Sequence, residues 1–240
     1  ICVGLEQEQI EYIATDQSVI KVPKSEIGLC MLKGLSGATT VSSTAHIAHQ
    51  LGLKVFATGG IGGVHRGYSN TLDMSQDLNT IKNTPMVVVC SGVKSFLDVE
   101  KTVEALETLG VTFLGFKTDS FPLFYSSYSK IGLQHRANST EEIVGIYKKN
   151  LEAGLLSSVL VLNPIPEKNQ IPNSKINKII DESIVDLNKK KITGKQATPF
   201  LLKRIARQTK NKSLEANISL AIKNIKLGAK IAKELNGLPH

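Results

Sequence analysis

Two short runs in this chain are apolar without interruption. They are Pro85-Met86-Val87-Val88-Val89-Cys90 and Ser158-Val159-Leu160-Val161-Leu162. A strand that alternates apolar and polar residues has one wet face, whereas these runs have none, so each predicts a strand buried on both faces. Helical patterns lie between and around them. Ser42 to Leu51 reads as a helix stopped by Gly52, and Ser95 to Leu109 as one stopped by Gly110. Ser139 and Glu142 read as a capping box opening a helix that runs to Gly154. Leu53 to Thr58 and Val111 to Phe116 read as further strands. Strands alternating with helices predict an α/β fold, a three-layer α/β/α sandwich around a mixed, largely parallel sheet. With no internal repeat or linker, residues 1–240 read as one domain.

The 240 residues carry a net charge of +8, unevenly placed. Residues 1–144 hold 11 Lys/Arg against 14 Asp/Glu, and residues 145–240 hold 18 against 7. A basic half can serve nucleic acid, phosphorylated small molecules or only a solvated face. There is no tryptophan, RNP-type aromatic ladder, zinc finger or basic-zipper pattern, so no nucleic-acid partner is expected. No apolar run approaches the roughly 18 residues of a membrane span, so no membrane partner is expected either. Cys2, Cys30 and Cys90 are odd in number and widely spaced, which excludes a disulfide framework and fits a reducing, cytoplasmic compartment. From Leu214 onward the tail reads as an amphipathic helix. Ile218, Ala221, Ile222, Ile225, Ala229 and Ala232 form its apolar face, and Lys223, Lys226, Lys230 and Lys233 a solvated one.

Several loops carry residue types suited to chemistry. Thr58-Gly59-Gly60-Ile61-Gly62-Gly63-Val64-His65-Arg66-Gly67 follows a strand, where α/β sheets place ligands. Its glycines suit close approach of an anion to backbone N–H groups, the favoured reading, with a tight strand-to-helix turn as the alternative. Asp73 and Asp77, four apart, share a face if their segment is helical. They could hold a hard divalent cation or simply sit at a helix N-terminus. Lys94, just past a buried strand, is either an amine nucleophile of lowered pKa or a lysine snorkelling outward. Cys90 reads as core. Thr198-Pro199 reads as an N-cap followed by a first-turn proline, and Asn217 as an isolated amide inside a helix.

Taken together, these segments resemble one family. Gly37 to Thr44, Val55 to Gly67, Asp73 to Leu78, Cys90 to Lys94, Asn163 to Glu167 and Gly194 to Leu202 follow, in order, the pattern of the pseudouridine-5′-phosphate glycosidases, also called indigoidine-synthase-A-like. The resemblance implies a homotrimer and a Mn²⁺-dependent (or Mg²⁺-dependent) enzyme. The implied reaction is reversible cleavage of pseudouridine 5′-phosphate to uracil and ribose 5-phosphate. Position by position, Lys94 matches the adduct-forming lysine and Asp73 the metal site. Lys21, Val41, His65, Ser75, Gln76, Asp77 and Asn217 match substrate-binding positions.

Ribose in pseudouridine is joined carbon to carbon, with no glycosidic heteroatom to protonate. An amine nucleophile offers a way around this, with an imine between Lys94 and the sugar's first carbon as the expected covalent intermediate, and a general acid/base must move the protons. The family places that acid/base in a Glu-Ser-Thr motif. This sequence, opening on Ile1-Cys2-Val3, does not contain one, and it reads as starting inside the family pattern. The competing expectation is therefore a catalytically incomplete fragment that binds a sugar phosphate or only trimerises.

Overall fold

The structure, a computed structural model, describes residues 1–192 and 194–237, with Lys195 by its backbone alone. In chain order the elements are α1 (Gln7–Thr15), β1 (Ile20–Val22), α2 (Ile27–Leu32), β2 (Gly37–Thr39), α3 (Val41–Gln50), β3 (Val55–Ala57), α4 (Tyr68–Thr71), α5 (Gln76–Lys82), β4 (Val87–Cys90), α6 (Val99–Thr108), β5 (Thr112–Phe116), β6 (Arg136–Ala137), α7 (Thr140–Glu152), β7 (Val159–Leu162), α8 (Asn173–Lys189), α9 (Ala197–Gln208) and α10 (Lys212–Leu235).

Five strands form one sheet in the order β3-β4-β7-β5-β6, and every ladder in it is parallel. Antiparallel pairing is confined to isolated bridges past the strand ends, such as Val64 with Met74 and Gly92 with Leu123. The two apolar runs are the central strands β4 and β7, and both are buried along their whole length. Their alternation divides the core in two. Val87, Val89, Val159 and Val161 pack with Leu114, with Ile143, Val144 and Tyr147 of α7, and with Leu227 and Ile231 of α10. Val88, Cys90, Leu160 and Leu162 face the other way, toward Leu78, Ile81, Leu106, Ile180, Leu201 and Ile205. Helices therefore cover both faces, giving three layers. A separate parallel pair, β1 with β2, sets Lys21 opposite Ala38. Among the described residues, no helix is long and apolar enough to cross a membrane.

Several local expectations shift. The helix expected from Ser95 begins at Val99, because Asp98 caps it by accepting the Lys101 N–H at 3.1 Å. This frees residues 94–97 to form a turn at the strand end. Ser139 caps α7, but Glu142 reaches back to the N–H of Asn138 at 2.8 Å rather than closing a box on Ser139. A 3-10 turn over Gly194–Gln196 leads directly into α9, so Thr198 is not its cap. Pro199 sits in the first turn, where its missing N–H has no intrahelical acceptor to lose.

The largest correction concerns α10. Its buried face runs through Ser213, Ala216, Leu220, Asn224, Leu227, Gly228 and Ile231, while Ile218, Ile222 and Ile225 are exposed. Two stripes compete for the sheet on this helix, and the smaller residues win. Gly228 lets the helix lie against β3, where a Cβ added to it would sit 3.2 Å from that of Ala57.

Candidate active site

A cavity of about 760 Å³ opens at the carboxyl ends of β3 and β4. The glycine stretch and the turn after β4 form its floor. Residues of β1 and β2, α3, the start of α5, α9 and α10 wall it in. Lys21, Val41, His65, Asp73, Ser75, Gln76, Asp77, Lys94 and Asn217 all line it, although they come from six separate stretches of sequence.

The floor is an extension of the sheet beyond its regular strands. Ser91 N–H donates to the Gly59 carbonyl at 2.9 Å, Ile61 N–H to Gly92 at 3.1 Å, and Lys94 N–H to Ile61 at 3.1 Å. The lysine backbone is thereby locked beside the glycine stretch. Gly92 has φ +89°, and a Cβ there would lie 2.1 Å from the Pro122 carbonyl, so only glycine turns the chain at this point. Burial of the Lys94 side chain pushes its pKa down. The Asp77 carboxylate opposes that shift and the Lys21 ammonium reinforces it. A lysine so placed keeps more free amine near neutrality than an exposed one. Cys90, fully buried one turn earlier, is pushed up to about 12 by burial and is not a nucleophile.

Several N–H groups along the glycine stretch are already engaged. The N–H groups of Ile61, Gly62, Val64 and His65 donate to Gly92, Asp77, Thr102 and Asp73 within the protein. Gly59, Gly60, Gly62 and Gly63 are absent from the positive-φ residues, so left-handed backbone does not explain them. What they supply is space. An added Cβ would meet Phe124 at 2.5 Å from Gly60, Ser75 Oγ at 2.2 Å from Gly62 and Thr102 Oγ1 at 2.4 Å from Gly63.

Asp73 and Asp77 do not share a helix face. Ser75 caps α5 between them, its hydroxyl accepting the Asp77 N–H at 3.2 Å, and Asp73 stays in the preceding loop. Their environments differ accordingly. Asp77 is buried, its two oxygens accepting the N–H of Ser42 at 2.9 Å and of Gly62 at 2.7 Å. Asp73 is half-exposed, with His65 Nδ1 3.8 Å away. Burial pushes the His65 pKa down, partly offset by Asp73 and reinforced by Lys21 and Lys94. Among the described residues, no group of three or more His, Cys, Asp or Glu gathers to cage a metal. One half-exposed carboxylate fits a hard cation that retains its waters, as Mg²⁺ and Mn²⁺ do, and does not fit tetrahedral zinc.

Of the other site residues, Gln76 is tied to the turn before α2, exchanging bonds with Ser25 at 2.8 and 3.2 Å. Asn217 reaches the cavity over Gly59, where an added Cβ would lie 3.1 Å from its Oδ1. Sequence reasoning missed Phe124, which lines the cavity from the long connection between β5 and β6 with φ +64°. It also missed Asn224, fully buried on α10. The argument applied to Asn217, a polar amide inside a helix, applied equally to Asn224 two turns later.

Comparison with known proteins shows the chain's family. The indigoidine synthase A like protein family matches residues 1–234. The pseudouridine-5′-phosphate glycosidase of Caldanaerobacter subterraneus subsp. tengcongensis is 43% identical over 238 residues, covering 99% of this chain and 78% of its own length. That of Alkaliphilus metalliredigens is 44% identical with the same two coverages, 99% and 78%. The crystal structure of an indigoidine synthase A-like protein from Thermotoga maritima superposes with a TM-score of 0.90 at 38% identity, covering 97% of this chain and 76% of that one. A prealnumycin C-glycosynthase, solved in complex with ribulose 5-phosphate, superposes with a TM-score of 0.89 at 31% identity, covering 98% and 77%. With a match of this extent and a shared fold, the chain belongs to the indigoidine synthase A-like family of pseudouridine-5′-phosphate glycosidases.

Proposed function

We propose that this protein cleaves the C–C glycosidic bond of pseudouridine 5′-phosphate, reversibly, to uracil and ribose 5-phosphate, with Lys94 as the nucleophile. The observation that carries the reading is the Lys94 amine itself: pocket-lining, of lowered pKa, and held on the sheet's carboxyl end beside Asp77. Its relatives are pseudouridine-5′-phosphate glycosidases, and one structural neighbour binds a pentulose phosphate.

The chemistry follows from the bond. As the ring opens, the bond from the sugar's first carbon to the ring oxygen breaks, that oxygen takes up a proton, and the Lys94 nitrogen bonds to the first carbon and gives up a proton. The nitrogen lone pair then expels the base as the C–C bond breaks. The base carbon takes up a proton, and an iminium remains between Lys94 and the pentose phosphate. Water hydrolyses that iminium, releasing ribose 5-phosphate and the free amine, so one water is consumed per uracil formed. Lys21 supplies positive charge for the phosphate. His65, Ser75, Gln76 and Asn217 supply hydrogen-bonding groups around base and sugar, and Val41 supplies an apolar wall. Asp77 already accepts two backbone N–H groups, so its role is to fix the floor and face the Lys94 charge.

Asp73 is the residue we assign to a divalent cation, Mn²⁺ or Mg²⁺, which when bound adds positive charge to the polar side of the pocket. The assembly we propose is a homotrimer, and sedimentation velocity tests it. Uracil release from pseudouridine 5′-phosphate, lost in Lys94→Ala, tests the reaction. Unchanged release by that variant contradicts it.

A further inference from the structure

Directly beneath the cavity floor, one helix side chain ties together three strand ends. Asn224 is fully buried in the middle of α10. Its amide nitrogen donates to the Thr58 carbonyl at 2.8 Å and to Ser91 Oγ at 3.0 Å, and its oxygen accepts from Asn163 Nδ2 at 2.9 Å. Ser91 in turn donates its hydroxyl to the Asn163 carbonyl at 2.8 Å. Thr58, Ser91 and Asn163 are the first residues past β3, β4 and β7.

The regular ladder stops at this level. Its last rungs are Thr58 N–H to Val89, Ser91 N–H to Gly59 and Asn163 N–H to Cys90. Beyond them the segments after β3 and β4 stay joined through the Ile61–Val93 bridge, and the turn carrying Lys94 starts here. That turn is held at its far side by Lys94 N–H on Ile61, and at its near side by Ser91 on Asn224. An asparagine is a poor choice for packing alone. It is unfavourable inside a helix, and its flanking positions on the same face, Leu220 and Leu227, show what ordinary packing uses.

We propose that Asn224 is a positioning residue for the Lys94 nucleophile, acting through Ser91 and Thr58 on the turn that aims the amine into the cavity. The proposal rests on the reading of Lys94 as nucleophile. Without the carboxamide, Thr58, Ser91 and Asn163 each lose a partner in a dry environment. The turn then keeps its backbone bonds, Ser91 N–H on Gly59 and Ile61 N–H on Gly92, but loses its side-chain tie to α10. Misplacement of a reacting group by about 1 Å can cost on the order of 10²-fold in rate.

The test compares the wild-type protein with Asn224→Leu and Ser91→Ala. It measures kcat and KM for pseudouridine 5′-phosphate, and the rate and pH midpoint of borohydride trapping with ribose 5-phosphate. Thermal unfolding runs alongside. For folded Asn224→Leu we expect kcat and the trapping rate to fall roughly 10²-fold with KM changed by less than about threefold. The pH midpoint of trapping should move toward that of an ordinary lysine. Ser91→Ala alters little volume and removes two links, to Asn224 and to the Asn163 carbonyl, while leaving Asn224 on Thr58 and Asn163, so it should show the same pattern with a smaller fall. If Asn224→Leu does not fold, Ser91→Ala decides. Wild-type rates and pH midpoint in the folded variants would overturn the proposal and leave Asn224 a packing residue. A wild-type protein that takes no pentose on Lys94 would overturn the nucleophile reading itself, an outcome visible before any variant is made.

Discussion

The backbone N–H of Gly62 donates to Oδ2 of Asp77 at 2.7 Å, across fifteen residues of sequence and in a buried setting. The other oxygen of the same carboxylate takes the N–H of Ser42 at the start of α3. One side chain therefore staples the glycine stretch, α5 and α3 into a single wall, and it does so on the side of the cavity that faces Lys94. Neither the glycine nor the aspartate is replaceable on this geometry, for different reasons.

Asp77→Ala should leave two buried N–H groups without acceptors, each costing about 1–3 kcal/mol. Gly62→Ala should destabilise by overpacking, on the order of 1–3 kcal/mol, because its Cβ would lie 2.2 Å from Ser75 Oγ. Urea unfolding midpoints measure both. A Gly62→Ala protein as stable as wild type would show that the wall is softer than the contacts indicate.

Lys94 makes a prediction about pH. Its pKa is lowered in the folded protein, chiefly by burial, so between the folded and unfolded pKa values the unfolded chain binds more protons. Stability should therefore rise with pH through that window. Lys94→Met, which cannot be charged, should remove this rise and be the more stable protein at neutral pH. Paired denaturation curves at pH 7 and pH 10 check it, and a rise of equal size in both proteins would assign it to other groups.

How much of this could be read in the sequence depended on whether local pattern or tertiary competition decided the matter. Val87 to Cys90 and Val159 to Leu162 announce buried parallel strands, because no other element needs so short and so unbroken an apolar run. The wall residues were legible through the resemblance, and all of them reach one cavity. The face of α10 was not legible. Ile218, Ile222 and Ile225 form a better apolar stripe than the one that is buried, and only contact with Ala57 and with three strand ends selects Gly228 and Asn224. The purpose of the glycines was likewise hidden, since Phe124, Ser75 and Thr102 come from distant segments. A helix holding both Asp73 and Asp77 failed because Ser75 caps the helix between them.

The metal assignment has its own test. Asp73→Ala should bind Mn²⁺ at least tenfold more weakly by titration while its circular dichroism stays unchanged, since Asp73 is exposed and its one short backbone link is carried by its carbonyl. Chelator should lower wild-type activity and added Mn²⁺ restore it. Wild-type Mn²⁺ affinity in the variant would place the cation elsewhere.

Proton transfer separates adduct formation from turnover. The resemblance assigns the acid/base role to a Glu-Ser-Thr glutamate that residues 1–240 do not contain. A positioned acid/base contributes typically ~10²–10⁴-fold. Residues 1–240 should therefore release uracil more slowly by a factor in that range than a protein carrying the motif. Equal turnover, abolished by Glu26→Gln, would show that Glu26, which lines the cavity, does this work instead.

The central claim is that the Lys94 amine forms a covalent bond to the pentose. Borohydride reduction of the protein with ribose 5-phosphate, followed by peptide mass spectrometry, tests it most directly. The account predicts one reduced pentose phosphate attached to Lys94, increasing with pH as the amine is freed and absent from Lys94→Ala. A protein that remains unlabelled, or a label that persists in Lys94→Ala on another lysine such as Lys21, would contradict it.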